Sequence, residues 1–209
     1  MEEWQTKVSV LNSSFLILNC QKPVIWDGNE DICAVHCEAK RRVVQDELDA
    51  LREERRPYVF LTDKMQTVSE LRRILVPVTM LEEEVYKAEI CTYLARKTGA
   101  TIVLLRANDY GSHARQNTQR IITHIQTVAE RTGEQIHYEE LVGQKDSFHL
   151  NQEAAQRADL DHQLLLLTAS REYGLDDWLF GPPERAAILH SPVPVMLINP
   201  RADLFSLCD

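Results

Sequence analysis

The stretch Arg72-Arg73-Ile74-Leu75-Val76-Pro77-Val78-Thr79 limits what this chain can fold into more than any other. It is a continuous apolar run, opened by two arginines and followed at once by Met80-Leu81 and three glutamates, where a helical pattern begins. A strand covered on both faces reads as an unbroken apolar run, and a run that passes directly into a helix is how a parallel strand feeds its crossover. Pro77 has no N–H to give to a ladder, so it belongs near the carboxyl end of such a strand. The expectation is a buried central strand in an α/β sheet.

Composition narrows the function classes. With 209 residues, 44% of them hydrophobic, the chain can build one packed core and a small extra lobe. A formal net charge of -9, without any Lys/Arg cluster interleaved with aromatics, argues against nucleic acid and against anionic lipid surfaces. The longest apolar runs, such as Leu164 to Ala169, fall far short of the roughly 18 to 20 residues of a membrane span, and no basic, apolar leader opens the chain. Five cysteines are an odd number without a framework. A soluble cytoplasmic protein with reduced thiols is expected.

On the amino-terminal side, Phe15 to Cys20 and Pro23 to Trp26 read as two short strands. Asp31 to Arg56 reads as one amphipathic helix carrying Ile32, Val35, Ala39, Val43, Leu48 and Leu51, ended by Pro57. Tyr58 to Leu61 is a further strand, and Thr62 to Glu70 a polar connector. Beyond Thr79, helix and strand alternate. The helices are Leu81–Thr98, Arg115–Arg131, Phe148–Ala158 and Glu184–His190. The strands are Thr101–Leu105, Ile136–Val142, Leu164–Ala169 and Val193–Ile198. Gly99 and Gly133 stand where helices end. Such alternation predicts a mostly parallel sheet, with the polar Ile136–Val142 at an edge.

Four segments, in this order and spacing, resemble the universal stress protein domain: RRILVPV, AEICTYLARKTGATIVLLRA, RADLDHQLLLLTAS and FGPPERAAILHSPVPVMLINP. Together they cover Leu71 to Pro200. The resemblance implies an α/β fold with an open, mostly parallel five-stranded sheet in the order 3-2-1-4-5 and helices on both faces. Ile74 to Val78 would lie at its centre and the closing strand at an edge. It also divides the chain into an N-terminal β/α lobe (1–70), a universal stress protein-like domain (71–200) and a C-terminal tail (201–209). The lobe is too short for a full second domain, so it is either a reduced copy or an unrelated addition.

The resemblance further supplies a nucleotide pattern, Gly-x2-Gly-x9-Gly followed by Ser or Thr, with an Asp ending the first strand. The Asp position is held here by Thr79, the three glycine positions by Thr168, Arg171 and Gly181, and the hydroxyl position by Pro182. Only Gly181 keeps the pattern. A phosphate cradle needs backbone N–H groups that reach the anion without an intervening Cβ, then the donors of a helix N-terminus. Thr168 and Arg171 add side chains to that approach, Pro182 and Pro183 have no N–H, and Thr79 lacks a carboxylate for a ribose hydroxyl. ATP is therefore not expected as a cofactor. Arg171 is left as a group able to meet another anion in the same crevice.

Other constellations are weaker. Cys33, His36 and Cys37 would share a helix face, but nothing nearby supplies the fourth ligand of a structural zinc site. Glu82-Glu83-Glu84 suits the first turn of a helix, where acid complements the dipole, and is assigned no chemistry. Ser170, Asp176 and His190 lack the elbow and spacing of a hydrolase triad. His113, His124, His137, His149 and His162 are scattered singly among polar residues.

The expected function is a non-catalytic regulatory or partner-binding protein with a degenerate nucleotide site. The alternative is a small-ligand sensor that holds ATP or another anion in the crevice at the strand ends. Fold resemblance alone supplies no base, nucleophile or metal. Val193 to Asn199 is apolar on both faces and carries no lysine or glutamate to discourage pairing. A homodimer through this strand is expected, unless Leu204, Phe205 and Leu207 of the tail fold back over it.

Overall fold

The apolar run around Ile74 is strand β5 (Arg73–Val78), which lies inside a seven-stranded sheet in the computed structural model. The structure describes residues 17–19, 22–24, 32–66, 68, 70–158, 161–170 and 182–200. Ahead of β5 come β1 (Ile17–Asn19) and β2 (Lys22–Val24), an antiparallel pair of their own. β3 (Cys33–Cys37), α1 (Arg41–Ala50) and β4 (Tyr58–Thr62) follow. After β5 the chain makes a 3₁₀ turn (Glu82–Tyr86), then α2 (Lys87–Thr98), β6 (Thr101–Arg106), α3 (Ser112–Arg131) and β7 (Tyr138–Val142). It closes with α4 (Leu150–Arg157), β8 (Leu164–Thr168), α5 (Pro183–His190) and β9 (Val195–Ile198). No helix among the described residues is long and apolar enough to cross a membrane.

The large sheet runs β3-β4-β9-β8-β5-β6-β7. Successive side chains of a strand point to opposite faces, and β5 divides its residues accordingly. Ile74, Val76 and Val78 face α2 and α3, where Cys91, Leu94, Ile121 and Ile125 complete one core. Leu75 faces the other way, with Leu165, Leu167, Tyr58 and Phe60, toward Val44 and Leu48 of α1, Ala154 of α4 and Ile188 of α5. α2 stops at Gly99, whose φ of 73° is the left-handed conformation a helix end needs, and its N–H returns to the Ala95 carbonyl.

The sheet corrects two expectations. It has seven strands rather than five and is mixed, because β4 runs antiparallel to β9 while every other neighbouring pair is parallel. The closing strand is consequently not an edge. Tyr58 faces Leu197, Val59 faces Met196 and Phe60 faces Val195, with β8 on the other side. Both rows of backbone groups are taken within the chain, so the expected homodimer through Val193–Asn199 has no free strand to form on.

A further correction concerns the helix expected over Asp31 to Arg56, since residues 32–56 hold a strand and a helix instead. Residues 33–37 pair in parallel with Tyr58–Thr62, from Cys33 opposite Tyr58 to Cys37 opposite Thr62. The chain then turns, and Val44 and Leu48 of α1 are buried. An apolar spacing of three to five residues fitted one long helix only because it ran across the turn. Ladder pairing with β4 overrides that local pattern.

The unit β3–α1–β4 is built like β8–α5–β9: two adjacent parallel strands joined by a helix on the same face of the sheet. The antiparallel β4–β9 pair sets the two units against each other about a local two-fold. α1 and α5 pack across it, with Arg185 donating from Nη1 to Oε1 of Gln45 at 2.7 Å.

Candidate functional site

Ligands of open α/β sheets bind outside the carboxyl ends of the strands, where neighbouring connections part in opposite directions. Here that place lies between β5 and β8. Their ladder covers Ile74–Leu164 and Leu75–Leu165. Buried charge stands close to that end of β5. Lys87, the first residue of α2, is fully buried and donates from Nζ to the Pro77 carbonyl at 2.6 Å and to the carboxylate of Glu84. Glu84 is only 3% exposed, and its 3₁₀ turn packs against β8. The three glutamates therefore part company: Glu82 stays outside, 2.9 Å from Arg120, while Glu84 turns inward to meet the buried ammonium.

Thr79, at the position of the expected acid, is buried, and its hydroxyl accepts from Leu81 N–H at 3.3 Å. A different carboxylate serves this end of the sheet. Asp109, after β6, accepts from the backbone N–H of Ser147 at 2.8 Å and from its hydroxyl at 2.6 Å. The Ser147 hydroxyl in turn accepts from Met80 N–H at 2.9 Å. The loops after β5, β6 and β7 are thus tied at one buried point.

The helix N-terminus that would receive phosphate is also spoken for. α5 begins at Pro183 with Pro182 as its cap, so neither residue offers an N–H. Glu184, the next residue, is 2% exposed. Its carboxylate accepts from Ser170 N–H at 2.7 Å and from the Ser170 hydroxyl at 2.9 Å. A carboxylate in a first turn complements the helix dipole and takes charge-assisted hydrogen bonds. Thr168, the last residue of β8, keeps its hydroxyl buried without a hydrogen-bond partner among the described residues. Arg171, Asp176 and Gly181 lie outside the described residues.

Sequence reasoning singled out Thr79, Thr168 and Pro182, but not the buried polar residues beside them. Glu184 carried one faint signal, an acid just inside a helix that opens with two prolines. Asp109, Ser147 and Lys87 carried none.

The remaining constellations disperse. On a strand, His36 and Cys37 point to opposite faces, which undoes the shared face expected of a helix. Among the described residues no group of three His, Cys, Asp or Glu side chains is arranged to hold a metal. Burial, with Glu47 and Asp63 nearby, pushes the Cys37 thiol up to about 11, away from thiolate reactivity. Ser170 is engaged by Glu184, whereas His190 bonds the Ala186 carbonyl at 2.7 Å at the far end of α5, roughly 9 Å along the helix.

Among solved structures, a universal stress protein from Archaeoglobus fulgidus matches with a TM-score of 0.59 at 15% identity, over 83% of this chain and 64% of that one. The fold is that of the universal stress proteins. A putative universal stress protein from Pseudomonas aeruginosa matches with a TM-score of 0.49 at 17% identity, over 84% of this chain and 65% of that one. A universal stress protein solved in complex with cAMP matches with a TM-score of 0.48 at 12% identity, over 64% of this chain and 100% of that one. This chain spans a little under two thirds of the Archaeoglobus and Pseudomonas chains. No family model and no curated protein matches its sequence. The universal stress protein fold, with Glu84, Lys87, Asp109 and Glu184 buried near the carboxyl ends of its strands, is the frame in which a function has to be found.

Proposed function

We propose that this chain is a non-catalytic, cytoplasmic regulatory or partner-binding protein of universal stress protein type, which holds no nucleotide because its own side chains fill the crevice. The bond between Ser170 and Glu184 carries this reading. A phosphate arriving at α5 would have to displace a buried carboxylate from its donors or share low-dielectric space with it, and like charges there repel strongly. Lys87, the buried cation of the crevice, already serves Glu84 and Pro77.

Calorimetry with ATP, ADP and cAMP on the purified chain tests it. Neither binding below about 100 μM, the range that millimolar cellular nucleotide would saturate, nor co-purified nucleotide in the denatured supernatant is expected. Saturable ATP binding in that range would support the sensor reading instead.

We also infer that residues 33–62 are a reduced second copy of the closing unit, seated where a paired domain would stand. The matching construction of β3–α1–β4 and β8–α5–β9 supports this. So does the Archaeoglobus match, which covers more of this chain than residues 71–200 contain.

A further inference from the structure

Val59 faces Met196 at the middle of the β4–β9 ladder and both belong to the same core, so the local two-fold runs through this pair. Past Thr62 the chain crosses the loop between α5 and β9, where Gln66 N–H donates to the Pro192 carbonyl at 2.8 Å. Met65 and Val68 are buried along this course. Past Ile198 the chain begins the matching course, over the loop between α1 and β4. Asn199 is fixed through Nδ2 to the carbonyls of Leu51 and Glu54, each at 2.8 Å, and Pro200 after it is buried. A cavity of about 530 Å³ lies against the same loop, lined by Ala50, Glu53, Glu54, Arg55 and Arg56. Glu54 is common to both, so the chain leaves β9 at the cavity wall.

We propose that the occupant of this cavity is the chain's own segment 201–207, which crosses the α1–β4 loop as residues 63–68 cross the α5–β9 loop. The proposal rests on the reading of residues 33–62 as a copy of the closing unit. Position favours this occupant. Val68 stands nine residues past Val59, and nine residues past Met196 stands Phe205, flanked by Leu204 and Leu207. The two-fold thus sets Phe205 where the other half of the joint buries Val68.

Reach and chemistry agree with it. From Pro200 to Phe205 an extended chain spans at most about 17 Å, and the cavity begins beside the anchored Asn199, so the segment has length to spare. Leu204, Phe205 and Leu207 gain by any burial in proportion to the apolar area they withdraw from water. A segment tethered at the wall of its own site is also present at high effective concentration, ahead of any separate molecule. So placed, residues 201–207 are a strap across the joint of the two units, holding the end of α1 to β9. A partner that takes hold of Leu204-Phe205-Ser206-Leu207 has to lift the strap first.

Two measurements on the full chain test this. Trypsin should cleave after Arg201 at least about tenfold more slowly in the folded chain than in a free peptide of residues 198–209, because the bond opens only when the strap does. Leu204→Ser/Phe205→Ser should restore most of that rate, and Phe205→Ala gives the same reading if the double variant does not fold. Glu53→Cys treated with a short bismaleimide should link to Cys208 within one chain, about tenfold faster than when Leu204→Ser/Phe205→Ser is added. Arg55→Cys serves in its place should Glu53→Cys disturb the loop. Cleavage as fast as in the peptide, equal linking with and without the serine substitutions, or a link from residue 53 to Cys20 or to another chain overturns the strap. The duplicated unit is tested separately, by removing residues 1–70, and the nucleotide-free reading by calorimetry, so failure of the strap is distinct from failure of either.

Discussion

Tyr58 donates its hydroxyl to Oδ1 of Asn199 at 3.0 Å, across 141 residues of sequence and inside the protein. The Nδ2 of Asn199 donates to the carbonyls of Leu51 and Glu54, each at 2.8 Å. One side chain just after β9 therefore closes three hydrogen bonds, two onto the segment between α1 and β4 and one onto the first residue of β4. Asn199→Ala withdraws all three, at about 1 kcal/mol each, so a loss of roughly 2–4 kcal/mol is expected. Tyr58→Phe should cost about 1 kcal/mol. Denaturant unfolding of both variants measures this, and an unchanged midpoint for Asn199→Ala would show that the joint is not tight.

The buried pair of Lys87 and Glu84 makes a sharper prediction. Lys87→Met strands a carboxylate in the core and should cost roughly 3–5 kcal/mol. Pairing it with Glu84→Leu removes the uncompensated charge, and the double variant should regain most of the loss. A double-mutant cycle by chemical denaturation checks it; a double variant at least as unstable as Lys87→Met would mean that the pair is not what holds the turn.

Alkaline pH should destabilise the fold through Cys91. This thiol is pushed up to about 12, chiefly by burial, and burial likewise raises the Tyr138 phenol to about 12. An unfolded thiol titrates near roughly 8.5, so above that pH the unfolded chain releases a proton that the folded chain keeps. The contribution is fully present below about pH 8.5 and is lost progressively as pH rises toward about 12. Stability should fall between pH 8.5 and 10.5, and Cys91→Ala should flatten the fall. Equal slopes for wild type and variant would exclude the thiol as the cause.

Removing residues 1–70 should bare one side of β9 together with the apolar faces of α5 and Leu197 that α1 and Tyr58 cover. The shortened chain is expected to lose stability and to self-associate through the exposed edge. Light scattering and thermal unfolding decide the matter, since a stable, monomeric remainder would make the first seventy residues a mere appendage.

Much of the sheet was legible in the sequence, because Ile74–Val78, Ile102–Leu105 and Leu164–Leu167 are apolar runs bounded by turns and helices. The strand Cys33-Ala34-Val35-His36-Cys37 was not legible, since little in its own composition marks it. It becomes a strand because Tyr58–Thr62 lies beside it, and that neighbour in turn needs β9. The crevice shows the same limit. That Thr79, Thr168 and Pro182 depart from the nucleotide pattern could be read directly. What stands there instead could not, because Ser170 and Glu184 are 14 residues apart, Asp109 and Ser147 are 38 apart, and Met80 and Ser147 are 67 apart, with no periodicity to link them.

The placement of β4 against β9 has a consequence in time. The Tyr58–Asn199 joint waits for 141 further residues to be made. At roughly 5–20 residues per second, a ribosome takes on the order of ten to thirty seconds to supply them. Throughout that interval Tyr58-Val59-Phe60-Leu61, entirely buried in the finished protein, lacks the β9 strand that pairs with one of its edges. The strand at the joint of the sheet is made well before the strand that covers its edge, which makes the unit of β3, α1 and β4 the natural client of whatever shields apolar strands during synthesis.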